Sequence, residues 1–241
     1  MRLGIMQPYF FPYLGYFELI KRTDRWVVFD VVKYQSRSWM NRNVVEAPGG
    51  AETYIQAPVV KRSGQSIADT RLSDFAQGRD TVLNKLERYR RAAPHFQPVR
   101  ALVEAAYEAS DGTGLVSLNV AALASVCAYL EIPFDPVICS RAGYDFSAVD
   151  HPGRWALEIC RQAGADGYLN PPGGMEIFRQ HEWDAAGIDL LFTHRPDMPL
   201  TPRGGAARTA GLSIIDTLMW VPPDRVAEYL SARPLQPLTP A

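Results

Sequence analysis

The chain has 241 residues, 47% of them apolar and 21% charged, with 25 basic against 26 acidic side chains and a formal net charge of −1. That near-neutral balance gives no general attraction to nucleic acid or to an anionic membrane, and the apolar share is that of an ordinary globular domain with a sizeable core. No stretch approaches the ~20 apolar residues of a membrane span, and the opening MRLGIM runs into a Pro/aromatic turn rather than a signal-peptide core.

In chain order, LGIM (residues 3–6) reads as a short buried strand. LGYFELIKR (14–22) follows as a helix with Lys21 and Arg22 near its C-terminus, where cations are favoured. WVVFDVV (26–32) is a continuous apolar, β-branched run, expected of a strand covered on both faces. SWMNRNVVEA and GGAETYIQAPVV predict two strands joined by a Pro-Gly-Gly turn, and SIADTRLS a further short strand. Residues 74–131 change to helical spacing, giving a block of three helices punctuated by Pro94 and the DGTG turn. FDPVICS predicts a strand and HPGRWALEICRQAGA a helix with Pro152 in its first turn. DGYLNPP predicts a strand and loop, GGMEIFRQHEWDAAG a helix, and IDLLFTH a strand. LSIIDTLMWV and DRVAEYLSA close the chain as helices before a loose Pro-rich tail. Strands alternating with helices at both ends predict an α/β fold, a three-layer Rossmann-like (HUP-type) mostly parallel sheet with the helical block inserted in a single 1–241 domain.

The chemistry-bearing positions are spread along this frame. Gln7, Tyr9, Tyr13, Gly15 and Tyr16 crowd the turn after the first strand, and Gly15 leaves room for a ligand at the helix start. Arg42 and Asn43, in WMNRN, offer a guanidinium fork and an amide for a charged or hydroxylated group, though alternation along a strand points them to opposite sides. Tyr168, Asn170, Gly173 and Gly174 form a strand-to-turn segment able to present backbone N–H groups to an anion, or a plain connector. Ser213-Ile214-Ile215-Asp216 reads as a capping box, or as a ligand-binding helix start. Arg203 and Arg208 flank a Gly-Gly loop that could clamp phosphate or carboxylate. Asp30 and His194, at strand ends, are the candidates for moving a proton.

Three scattered cysteines suit a reducing, cytoplasmic setting. Cys127 and Cys160 read as inert core thiols, leaving Cys139 as the one candidate nucleophile. The histidines have no metal-ligand spacing, so no metal site is expected, and no motif names a cofactor.

The pattern strand, turn, xPYLGY, helix, strand distantly resembles the nucleotidyltransferase and pantothenate synthetase class, which carries H-x-G-H where this chain has Tyr13-Leu14-Gly15-Tyr16. Neutral phenols in place of those histidines do not support adenylylating chemistry. A closer resemblance rests on MQPYFFPYLGYFELI, the WVVFD strand, WMNRN, YRRAAPHF (89–96), Asn119, GADGYLNPPGG (164–174), AAGIDLLF and LSIID. On these the chain resembles the WbqC-like protein family over nearly its whole length. That resemblance implies a bacterial biosynthetic setting, O-antigen or natural-product assembly, and the expected activity is a transferase or amide-forming ligase on a small polar substrate such as an activated sugar or amino compound. The alternative is a binding or scaffold protein that keeps the pocket without the chemistry. A small-molecule substrate is the expected partner, and a homodimer stays open.

Overall fold

A computed structural model describes residues 1–46, 52–194, 211–232 and 234–238. Strand β1 (Arg2–Met6) leads through helix α1 (Leu14–Lys21) to β2 (Arg25–Val28). A separate antiparallel pair follows, β3 (Arg42–Glu46) with β4 (Glu52–Gln56), then α2 (Phe75–Leu86), α3 (Phe96–Ala109) and α4 (Leu115–Tyr129). The chain returns to the main sheet as β5 (Pro136–Ile138), then α5 (Arg154–Ala163), β6 (Gly167–Asn170), α6 (Gln180–Ala186) and β7 (Asp189–Phe192). Helices α7 (Ile214–Trp220) and α8 (Pro223–Ala232) and a two-residue strand β8 (Gln236–Pro237) complete it.

The main sheet has the order β5-β2-β1-β6-β7-β8; β1, β2, β5, β6 and β7 run parallel, and β8 is antiparallel to β7. This is a Rossmann-like α/β sheet, and its strand order reverses between β1 and β6, the place where such sheets open a crevice at their carboxyl ends. Strand alternation sorts the core into two layers. Leu3, Ile5, Val27, Tyr168, Leu190 and Phe192 pack with α5 and Trp183 of α6 on one face. Trp26, Val28 and Leu169 face the other side, where α1, α3, α4 and α7 join one continuous apolar cluster. Gly4 is needed between them, because a Cβ there would lie 2.6 Å from the Trp26 ring.

Several elements depart from the sequence expectation. The second strand ends at Val28, because Asp30 and Val32 accept backbone hydrogen bonds from Ala68 and Ile67 at 2.9 Å rather than continuing the sheet. Residues 66–73 form no strand; isolated bridges Val59↔Leu72 and Arg71↔Gly114 hold them. The expected 173–187 helix splits into a 3₁₀ turn (Pro172–Ile177) and α6, separated by extended Phe178 (φ −95°, ψ 145°). Residues of the tail expected to be loose pair with β7 as β8. The Pro-Gly-Gly turn at 48–50 lies outside the described residues. Among the described residues, no helix is long and apolar enough to cross a membrane.

Candidate functional site

The segment from Gln7 to Tyr13 holds two prolines, so it cannot form a regular ladder, yet Phe10 and Phe11 are fully buried. Buried carbonyls need partners, and here remote side chains supply them. Tyr16 Oη on α1 donates to the Gln7 carbonyl at 2.8 Å. Asn119 Nδ2 on α4 donates to the carbonyls of Pro8 at 2.8 Å and Met40 at 2.7 Å. Asn43 Nδ2 on β3 donates to Phe10 at 3.2 Å and Phe11 at 2.9 Å, while its Oδ1 accepts the Val44 N–H. Ser213 Oγ, capping α7, reaches the Phe11 carbonyl at 2.7 Å, and the Ile214 N–H reaches that of Pro12 at 2.9 Å. Phe11 sits at φ +41°, a conformation that bulky side chains avoid at about 1–3 kcal/mol and that persists only when neighbours over-determine it. The clamp supplies that determination.

The far side of this turn, with the end of β6, lines a cleft of about 270 Å³ at the β1/β6 reversal point. Gln7, Tyr9, Tyr168, Asn170 and Gly174 contribute its polar edge. Phe29, Trp155 and Phe178 give much of its aromatic wall. Tyr168 is stacked on Trp183, with ring centroids 5.2 Å apart and planes 12° from parallel, and its hydroxyl donates to Asn170 Oδ1 at 2.8 Å. A Cβ at Gly174 would lie 2.3 Å from Asn170 Nδ2, so any other residue there must displace the Asn170 amide. Burial raises the phenols of Tyr9 and Tyr168, so both are neutral at ordinary pH and can donate. A recess of about 220 Å³ lies on the other side of Tyr9, lined also by Tyr13, Trp39, Asn43 and Gly211. Tyr13 is pushed up to about 12 by burial, with Tyr9 and Glu18 adding to the shift.

A model of the WbqC-like protein family matches residues 7–228, beginning at the first residue of the clamped turn. The chain belongs to the WbqC-like protein family. It is also similar to the uncharacterized protein Rv1507c of Mycobacterium tuberculosis, 28% identical over 193 residues that cover 79% of this chain and 81% of that protein. No solved structure matches it.

The motifs that carry the WbqC-like resemblance thus have a joint physical use. The opening turn, WMNRN, Asn119 and LSIID meet in the clamp. Tyr89, from YRRAAPHF, donates its hydroxyl to Asp216 Oδ1 and lies against the Glu46 carbonyl, while Asp216 Oδ1 also accepts the Glu46 N–H at 3.1 Å. Ser213 half-fulfils the capping box by accepting the Ile215 N–H at 3.3 Å, but its own N–H goes to Val44. Tyr16, Asn43, Ser213 and Asp216 therefore have polar atoms committed to holding α1, β3 and α7 around the turn. Gly15 is buried in α1, and Gly173 has open space where its Cβ would be.

Other expected residues lie apart from the cleft. Arg42 lines a different cavity with Asn41 and Lys61. Both Asp30 oxygens are engaged by Ser140, one by its N–H at 2.8 Å and one by its hydroxyl at 2.6 Å. His194 is half-buried just beyond β7. Arg203 and Arg208 fall outside the described residues. Among the described residues, no cluster of histidine, cysteine and carboxylate side chains could hold a metal ion. Sequence reasoning passed over Phe29, Trp155 and Phe178. It also passed over the His151–Glu182 pair, whose Nε2–Oε2 distance of 3.0 Å links the start of α5 to α6 beside the cleft. Nothing local in the sequence separates an aromatic that lines a cleft from one that fills a core.

Two outcomes follow from this geometry. Replacing Asn43 with Ala leaves the Phe10 carbonyl and the Val44 N–H without their partner, and urea denaturation should show a loss of roughly 2–4 kcal/mol; a loss below about 0.5 kcal/mol would mean the clamp contributes nothing. Cys127, Cys139 and Cys160 are all buried, and burial pushes the thiols of Cys127 and Cys139 up to about 12. Native protein at pH 8 should therefore resist iodoacetamide and react at all three thiols only when denatured. Rapid native labelling of Cys139 would restore it as a nucleophile.

Proposed function

We propose that the chain is a biosynthetic enzyme, a transferase or ligase, whose small polar substrate, an activated sugar or amino compound, seats in the β1/β6 cleft. The carrying observation is the pairing of Gln7, Tyr9 and Asn170 with the Phe29, Trp155 and Phe178 rings in one cleft at the sheet's reversal point. Rings pack against the apolar face of a sugar or other flat group, and amides read hydroxyl or amino groups at its edge. In this reading the Gln7 and Asn170 amides and the Tyr9 hydroxyl orient the substrate, and Gly174 makes room for the Asn170 amide. Tyr13, across the Tyr9 wall, extends the polar edge. Asp30 and His194, beyond the ends of β2 and β7, lie outside the cleft lining, so either could move a proton only on a substrate that extends past the cleft.

A second reading has its own observation. Among the described residues, the cleft lining includes no carboxylate, imidazole or thiol. That favours a protein that binds its ligand and leaves the chemistry to a partner.

The test is a thermal-shift screen of sugar nucleotides, nucleotides, amino acids and acyl-CoA, followed by turnover assays with any compound that binds. A saturating ligand at ~100 times its dissociation constant stabilises by about 2.7 kcal/mol. Tyr9→Phe removes one hydroxyl and keeps the ring, so it should weaken a cleft ligand by roughly fivefold to tenfold with little loss of stability. Binding that is indifferent to Tyr9→Phe and to Asn170→Ala would place the ligand elsewhere and end this proposal. Binding without turnover would select the second reading.

A further inference from the structure

A concentration of cationic side chains lies away from the cleft. Between the loop before β3 and the loop after β4 is a cavity of about 310 Å³ that includes Arg37, Asn41, Arg42 and Lys61 in its lining. A neighbouring hollow of about 320 Å³ shares Lys61 with it and adds Lys33 and Arg62. Five cationic side chains therefore surround one basin, and neither lining contains a carboxylate. On a chain with a formal net charge of −1, this is a local concentration of charge rather than a general bias.

The basin is also built. Arg42 is fixed from two sides: its guanidinium carbon lies 4.4 Å from the Tyr54 ring centroid, and Nη2 donates to the Arg37 carbonyl at 2.7 Å. Arg37 itself holds a left-handed backbone at φ +62°. Asn41, only 3% exposed, is held by its Nδ2 donating to the Ala57 carbonyl at 3.0 Å. Arg42 Nε, a donor, is buried with no hydrogen-bond partner among the described residues. Five cations without an opposing carboxylate make a poor structural element, since like charges repel, and a good receptor for a compact multivalent anion. Its concavity fits a small ligand better than an extended polyanion.

We propose that this basin binds the phosphate or pyrophosphate group of a small phosphorylated molecule, with Arg42 as the preorganised fork and Lys61, Arg37, Lys33 and Arg62 as the surrounding charge. The site is separate from the β1/β6 cleft and does not depend on the function proposed for it.

The test is isothermal titration with inorganic pyrophosphate at low ionic strength and again at about 0.15 M salt, where exposed charges are screened beyond ~8 Å. Wild-type protein should bind saturably and more weakly at the higher salt. Lys61→Gln, in an exposed loop, should weaken binding about tenfold. Arg42→Gln should do the same, and because it also removes the Tyr54 and Arg37 contacts its folding is checked by circular dichroism. Arg91→Gln, an exposed cation outside the basin, should leave binding unchanged. The proposal is overturned by absence of saturable binding at low ionic strength, or by equal losses in Lys61→Gln and Arg91→Gln. It is equally overturned if a single-stranded oligonucleotide binds while pyrophosphate does not. Tyr9→Phe should not alter pyrophosphate binding, so failure here leaves the cleft proposal standing.

Discussion

The structure depends on how a buried turn without regular hydrogen bonding satisfies its own carbonyls. Two prolines remove donors, and the aromatic side chains draw the turn into the core. An unpaired buried carbonyl costs about 1–3 kcal/mol, and the turn presents several together. Tyr16, Asn43, Asn119, Ser213 and the Ile214 N–H answer them from α1, β3, α4 and α7. Segments up to 202 residues apart in sequence are therefore joined at one loop. The left-handed backbone at Phe11 is the local sign of how firmly the loop is held.

That clamp connects fold to site. Gln7 and Tyr9 form one edge of the β1/β6 cleft, and their carbonyl neighbours are fixed from behind by side chains that never reach the cleft. The opposite edge is fixed by different means. Tyr168 lies between Trp183 and Asn170, and at Gly174 Asn170 Nδ2 occupies the space a Cβ would take. A cleft with both edges preorganised can orient a substrate with little ordering at the moment of binding.

Much of this was legible in the sequence. Alternating strands and helices gave the Rossmann-like sheet, and Gln7, Tyr9 and Asn170 line the cleft at its reversal point. Alternation along β3 separates Arg42 from Asn43, whereas Asn41, expected on the side of Asn43, precedes the strand and lines a cavity with Arg42. What stayed illegible is long-range. Nothing near Asn43 or Ser213 indicates that their polar atoms serve the Phe10 and Phe11 carbonyls rather than a ligand, because those carbonyls carry no side-chain signature. The break at Phe178 and the pairing of β8 with β7 are likewise tertiary, set by packing rather than by helical period or Pro content. Trp155 and Phe29 have the spacing of core residues and become cleft wall only once β1 and β6 lie side by side.

Residue-resolved amide hydrogen exchange measures the clamp most directly. The Phe10 N–H donates to the Trp39 carbonyl at 2.9 Å inside the turn. If the turn opens only when the whole domain unfolds, its protection should match that of Val27 in the central sheet. Exchange at Phe10 more than about a thousandfold faster than at Val27 would mean the turn opens by itself, by roughly 4 kcal/mol more easily, and the clamp would then not be what holds the cleft.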